Sequence, residues 1–531
     1  MPPTEEETFE VHLNSPNSFA HIKTWLSEIR IGACTPRCLG VYPYLSIGIF
    51  LIGVALRLIG LDKGIWLDEY YSLKIIFSKD MFATFGLYDN QPPLYLILLR
   101  LWATLGTNEE TLRVLSVVLG SGTVIVVMLW LKRYSDLASL VSGLICATMP
   151  IILHYSQELR SYPLFLFSTA LSFFFASRIA ANPTKQSEYV GLTVSLSVVA
   201  ASHLVGISMV TSVFVFMVVS LWDLRQIFSR RFFLAFAIPS LVFLYCVFVW
   251  TPWIPDRSNW WVPAFSLEYA TSIAKYVFGT LSLSGFVDGI RQNRPTLAAL
   301  LEYVIPSAII IFSAGLTLGG IWRRSWPLLA ATLFYWFQII AYSVFVTPVF
   351  LPQTVLPGLI PLIGFLGLQL AAIPAKRIRW ITVAALIFVS SVFVIRWTTY
   401  EAYVPNEPWR QAAQWLESKR QPANLVGFYP WYIEGPIRYY ASELSSDNVV
   451  LIGLGDNTNA GILEMDKRIV AMKEKGMLPA LFLILRNDLS VAKDSASHQN
   501  LLKYLESGLG PPAFSQSFGI ISISKYELKS K

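Results

Sequence analysis

Long apolar runs separated by short polar breaks fill the chain from residue 44 to residue 396. A helix needs about 20 apolar residues to cross the hydrocarbon core of a bilayer. By that measure the chain has about eleven spans: 44–60, 110–131, 137–153, 162–180, 188–202, 204–222, 232–251, 297–322, 326–346, 354–374 and 380–396. The stretch 188–222 is too long for one ordinary span and is divided at His203. Beyond 396 the pattern changes. Short apolar runs at 424–428, 449–452, 481–484 and 520–524 alternate with helical patterns over 408–419 and 462–475. Strands alternating with helices predict a small α/β domain. The expected fold is therefore an α-helical polytopic membrane protein with a small C-terminal α/β extracytoplasmic domain. Its expected divisions are a cytoplasmic N-terminal segment 1–43, a transmembrane part 44–396 and an outer domain 397–531.

Basic residues set the orientation, because cytoplasmic loops carry the excess of Lys and Arg. With the N-terminus inside, Lys132-Arg133, Arg178 with Lys185, Arg230-Arg231, Arg323-Arg324 and Lys376-Arg377 all fall on the inner side. The loops 61–109, 154–161, 252–296 and 347–353, and the whole tail, then face outward. Pro92–Gly106 is apolar but too short to span, and is expected as an interfacial helix in the first outer loop, with a second over 266–280.

Composition agrees. Only 14% of the residues are charged, against roughly 25% in soluble domains. The 43 residues before the first span lack the layout of a cleaved signal peptide, so that span is expected to stay as an anchor. Cys34 and Cys38 have no second pair or histidines beside them, which argues against a zinc site. No phosphate-binding glycine loop is present, which disfavours nucleotide-driven work, and nothing points to nucleic acid.

Three outward patches hold the unusual polar residues. The first is Asp68-Glu69, at the mouth of a span among Trp66, Tyr70 and Tyr71, followed by Asn90-Gln91-Pro92-Pro93. A carboxylate at a membrane boundary is by default a functional candidate. Asp68 is open to two readings: a solvated acid at a helix start, or a general base tuned by partial burial and a nearby cation. Adjacent helix residues point about 100° apart, so Asp68 and Glu69 do not share a target atom. The second patch is His154-Tyr155-Ser156-Gln157-Glu158-Leu159-Arg160-Ser161-Tyr162. Glu158 and Arg160 form either a plain ion pair or a phosphate-holding unit, which the guanidinium fork suits. His154 and Glu158 share a helix face; two ligands are a weak signal for a divalent metal, and no cofactor is assigned. His203 reads as a packing residue. The third patch holds Trp253, Arg257 and Trp260-Trp261, either belt residues or a sugar-stacking surface.

These motifs together resemble a family. The acidic pair after the first span, then Gln91-Pro92-Pro93-Leu94-Tyr95-Leu96, Glu110-Thr111-Leu112-Arg113-Val114-Leu115-Ser116, and Glu158-Leu159-Arg160-Ser161-Tyr162, resemble the dolichyl-phosphate-mannose protein mannosyltransferase-like proteins. These are glycosyltransferase family 39 and its bacterial relatives, including the lipid A aminoarabinose transferases, membrane-embedded C-type glycosyltransferases. Pro408-Trp409-Arg410-Gln411-Ala412-Ala413 is similar to the opening of the outer domain in the bacterial branch. The resemblance implies inverting transfer of a sugar from a polyprenyl-phosphate donor to a lipid, protein or glycan acceptor on the outer face. It implies Asp68 as base, Glu69 assisting or orienting, Arg160 on the donor phosphate with Glu158 setting its position, and Gln91, His154, Tyr162 and Trp261 at the substrate. Two positions depart from the family pattern: Gln91 replaces the usual His before the double proline, and Pro352-Gln353-Thr354 replaces an Arg-Tyr pair before the tenth span.

The rival reading is a transporter or flippase of lipid-linked sugars, with charges marking a pathway. The acidic pair at a span end, the absence of an inverted repeat and the large outer domain argue against it. The tail lacks an endoplasmic-reticulum retention signal and the outer loops are poor in glycosylation sites, which favours a multi-pass protein of a bacterial plasma membrane.

Overall fold

The computed structural model describes residues 40–88, 91–221, 227, 229–250, 262–278, 325–444, 446–453, 457–474, 480–487 and 496–528. Its helices are α1 (Tyr42–Leu58), α2 (Leu67–Ile76), α3 (Met81–Tyr88), α4 (Leu94–Trp102), α5 (Glu109–Lys132), α6 (Asp136–Thr148), α7 (Pro150–Tyr155), α8 (Tyr162–Ala181), α9 (Gln186–Ala200), α10 (Gly206–Leu221), α11 (Arg230–Trp250), α12 (Leu267–Val277) and α13 (Trp326–Phe345). They continue with α14 (Pro352–Ala372, its first turns partly 3-10) and α15 (Lys376–Thr399). Among the described residues six helices are long and apolar enough to cross a membrane, and α1, α6 and α10 are shorter apolar helices. The protein is a multi-pass membrane protein. Ten of the eleven expected spans fall on helices; the span expected at 297–322 lies outside the described residues.

One expected span needs correcting. The run 137–153 is not continuous: α6 ends at Thr148 and α7 begins at Pro150. Met149 is forced into an extended conformation, with φ −66° and ψ 121°, because the ring of a following proline disfavours the helical region. Pro150 also has no N–H for the carbonyl four residues back. Arg57 at the end of α1 supplies the missing donor: its guanidinium reaches the Cys146 carbonyl at 3.0 Å and the Ala147 carbonyl at 3.3 Å. The break re-aims the chain, so that Ser156 to Ser161 forms a loop that is buried except at Arg160.

The bundle is built around α5, which packs on α6 and α8; α8 packs on α9, α10 on α13, and α14 closes on α6 and α13. Small residues permit the closest approach. A Cβ on Gly367 of α14 would stand 2.9 Å from the Ala138 carbonyl of α6. Helix α15 is peripheral, with Ile378, Ile381, Phe388 and Ile395 exposed, as expected of a helix that faces lipid on most sides.

The described residues of the stretch 61–109 hold three short α-helices rather than one. Alongside α4, where an interfacial helix was expected, stand α2 and α3. The second expected interfacial helix is α12, capped by the Ser266 hydroxyl on the Tyr269 amide at 3.1 Å.

The tail forms a five-stranded sheet in the order β2-β1-β3-β5-β4, with β1 Leu425–Tyr429, β2 Val449–Leu451, β3 Ala480–Arg486, β4 Phe514–Phe518 and β5 Ile521–Glu527. Strand β1 pairs parallel with β2 and β3, and β5 runs antiparallel to β3 and β4. Helices cover both faces: α16 (Trp409–Lys419) and α17 (Glu434–Tyr440) on one, α18 (Asn457–Glu474) and α19 (Ala496–Tyr504) on the other. Val426 and Phe428 face the first layer, Leu425 and Tyr429 the second. Burial on both faces explains why β1 and β3 read as unbroken apolar runs.

Candidate functional site

The site forms where the loop 59–66, the N-terminus of α2 and the loop after α7 meet the segment 401–410 that leads into the sheet domain. Asp68 and Glu69 occupy the first turn of α2, where the free amides and the helix dipole favour carboxylates.

Glu69 is buried and engaged on both oxygens. Arg113, one turn into α5, donates to Oε1 at 3.1 Å and to Oε2 at 2.6 Å, in the two-point geometry that suits a guanidinium and a carboxylate. The Leu159 amide adds a bond to Oε1 at 3.0 Å. Arg113 also binds the carbonyls of Leu61, Lys63 and Gly64. The pair therefore ties together α2, α5, the loop 59–66 and the loop that carries Glu158.

Asp68 is more open. Its side chain is 35% exposed, and Arg160 Nη2 stands 3.9 Å from Oδ2. Arg160 also donates to the Ser72 hydroxyl at 3.4 Å, one turn further along α2. Tyr162 sits within electrostatic reach of Arg160, Asp68 and Glu158, and its ring packs edge-on to Tyr155 at 4.9 Å.

Glu158 is almost wholly buried. Its Oε1 meets His154 Nε2 at 3.0 Å and accepts from Asn406 Nδ2 at 3.0 Å. Its Oε2 and the Asn406 Oδ1 are buried acceptors with no hydrogen-bond partner. Glu158 is thus held by His154 and Asn406. Among the described residues no group of three or more His, Cys, Asp or Glu is arranged to hold a metal ion.

Gln91 lies beside this cluster and accepts from the Leu204 amide at 3.2 Å. Its neighbour His203 is stacked on Phe165 at 5.7 Å, and its Nδ1 accepts from the Val205 amide at 3.2 Å. Burial, reinforced by Arg160, pushes the His203 pKa down to about 3, so the ring is neutral. Trp261, with the rest of 251–261, lies outside the described residues. The structure therefore gathers Asp68, Glu69, His154, Glu158, Arg160 and Tyr162 into one region, with Gln91 at its edge.

Sequence reasoning missed several participants. Lys63 is buried, and its ammonium donates to Gln157 Oε1 at 3.2 Å. Burial and the Arg113 charge push its pKa down to about 8, opposed by Glu69 and Glu158. The Gln157 amide in turn donates to the carbonyls of Arg57 and Ile59, closing the end of α1. Arg113 had a visible signal: an arginine one turn inside an apolar span requires a buried partner. Asn406 and Glu407 had none, because the groups they meet in this site, Glu158 and the Leu67 amide, lie 248 and 340 residues away.

No protein-family model and no curated protein matches the sequence. Solved structures do match in fold. ArnT from Cupriavidus metallidurans in the apo state aligns with a TM-score of 0.51 at 13% identity, over 91% of this chain and 97% of that one. The same protein bound to undecaprenyl phosphate aligns with a TM-score of 0.50 at 13% identity, over 93% of this chain and 98% of that one. The chain therefore shares the fold of these ArnT structures over nearly its whole length.

Proposed function

We propose that this protein is an inverting glycosyltransferase that moves a sugar from a polyprenyl-phosphate donor to an acceptor on the outer face of the membrane. The observation that carries the reading is the contrast at the first turn of α2: Glu69 is bound on both oxygens, while Asp68 remains partly exposed, 3.9 Å from Arg160. A single displacement needs one base near the acceptor hydroxyl and a cation near the departing phosphate. Asp68 takes the acceptor proton, and the acceptor oxygen attacks the anomeric carbon as the bond to phosphate breaks. The transition state is oxocarbenium-like. The leaving phosphate is already anionic, so the charge of Arg160 serves it better than a protonating acid would.

Glu69 holds the frame and touches no substrate. The unpartnered Glu158 Oε2 and Asn406 Oδ1 suit sugar hydroxyls, which would satisfy two buried acceptors. His154, Tyr162, Gln91 and Trp261 complete the donor pocket in this reading. The acceptor is a lipid, protein or glycan, and the tail stands on the outer side of a plasma membrane. The fold of the undecaprenyl-phosphate-bound ArnT supports a lipid-phosphate donor.

The test is donor consumption from a panel of polyprenyl-phosphate sugars by the purified protein in native lipid, with crude membrane acceptors added. The reading expects wild-type protein to consume at least one donor. Donors that bind and are never consumed contradict it and favour the transport alternative.

A further inference from the structure

The segment between α15 and α16 does more than join two domains. Residues 402–410, together with Tyr440 of α17, meet the loop 59–67, Glu109 and Glu158 at five points. Gly60, at φ +75°, approaches the Ala402 carbonyl so closely that a Cβ there would clash with it. Asn406 reaches Glu158. Arg410 donates to the Asp62 carbonyl at 2.6 Å and to Glu109 at 2.7 Å. From α17, Tyr440 accepts the Ile65 amide at 2.7 Å and donates to Glu109 at 2.8 Å; burial pushes its pKa up, which keeps the phenol protonated. The fifth point is Glu407.

Glu407 is buried, and its Oε2 accepts the Leu67 amide at 2.7 Å. Leu67 is the first residue of α2, and Asp68 is the next. The residue ahead of the helix, Trp66, caps it with no side-chain bond of its own. A free first-turn amide normally finds a local Ser, Thr, Asp or Asn; here the acceptor comes from 340 residues along the chain. Glu407 is itself fixed on three sides. The Trp409 indole donates to Oε2 at 2.6 Å, and Arg486 at the end of β3 pairs with Oε1 at 2.8 Å.

We infer that Glu407 is a positioning residue for the transfer reaction: anchored by Arg486 of the sheet domain, it fixes the first turn of α2 and so the aim of Asp68. The inference rests on the glycosyltransferase reading above. It makes the sheet domain a working part of the site, since Arg486 on a central strand braces the acid that holds the base's helix. Displacing a base by about 1 Å costs on the order of 10²-fold in rate, so a remote cap is enough to matter.

The experiment uses full-length protein in native lipid with two variants. Glu407→Ala removes the acceptor, whereas Glu407→Gln keeps an oxygen for the Leu67 amide. The inference expects kcat to fall roughly 10- to 100-fold in Glu407→Ala, with donor KM within about threefold, and to recover substantially in Glu407→Gln. A third variant, Glu407→Ala combined with Asp68→Asn, is expected to lose little beyond Asp68→Asn alone, because residues acting as one unit are not additive. Full activity in Glu407→Ala overturns the inference, as does an equal loss in the Asp68→Asn background. Hydrogen exchange at the amides of 67–70 provides a readout independent of turnover. Faster exchange in Glu407→Ala and protection in Glu407→Gln are expected; unchanged protection in Glu407→Ala overturns the positioning role. If wild-type protein consumes no donor, the glycosyltransferase reading fails alone, and exchange still decides whether Glu407 fixes the helix.

Discussion

Asp68 and Glu69 are neighbours on one helical turn, and each faces an arginine, yet the two pairs differ in kind. Glu69 and Arg113 are 1% and 0% exposed and meet at 2.6 Å. Asp68 and Arg160 are 35% and 11% exposed and stand 3.9 Å apart. The first pair is closed: both carboxylate oxygens are taken by protein donors, and three backbone carbonyls and two backbone amides are gathered around it. The second is looser and partly open to solvent. The same residue chemistry thus builds a closed frame in one case and, on the proposed reading, serves the reaction in the other, and what separates them is burial and completeness of hydrogen bonding. A 100° turn of the helix is what assigns the two roles.

The largest expected effect breaks the closed pair. Glu69→Ala removes the close partner of the buried Arg113 guanidinium and leaves Glu109 at 3.8 Å as its remaining carboxylate; breaking such a buried pair typically costs about 3–5 kcal/mol. Thermal unfolding in lipid should show that loss, together with a collapse of activity; a variant with wild-type stability would remove Glu69 from the frame. The open pair should behave otherwise. Arg160→Lys keeps the charge but loses the planar fork, and donor affinity is expected to fall about tenfold, or about 1.4 kcal/mol, with stability within about 1 kcal/mol because the pair is loose. A titration of donor binding checks this, and an equal loss of stability would make Arg160 another structural ion.

The smallest effect concerns Lys63, which lies in the loop 59–66 within electrostatic reach of Glu69 and Glu158. Below about pH 8 its ammonium is charged in both the folded and unfolded chains; between about 8 and 10.5 only the unfolded chain keeps the proton. Stability therefore rises with pH across that window, while the site loses a positive charge between Glu69 and Glu158. The rate is expected to decline as pH passes about 8, and Lys63→Arg is expected to carry that limb upward. A pH–rate profile with an unmoved limb would show that Lys63 plays no part.

Much of this was legible in the sequence. The helical spans showed because lipid demands long apolar runs, and the two-sided strands β1 and β3 showed because both their faces are buried. The break at Met149 was written in Pro150 but hidden by continuous hydrophobicity on either side. Strand β4, Phe-Ser-Gln-Ser-Phe, escaped because an exposed edge strand carries no apolar run. At the site, Asp68, Glu158 and Arg160 stood out as charges at span ends. The division of labour between Asp68 and Glu69 did not, since it depends on which arginine each one meets. Glu407 was invisible for a related reason: it serves an amide at Leu67 with no periodicity or local motif to link them.

The most direct test of the central claim is the rate of donor consumption by Asp68→Asn, measured on protein shown to be folded and to bind donor as wild type does. The substitution keeps shape and removes the base. The account predicts unchanged donor affinity and stability with turnover lower by roughly 10²-fold or more, the scale of a lost general base. Turnover equal to wild type would contradict it, and would show that the open acid of α2 is not where the proton goes.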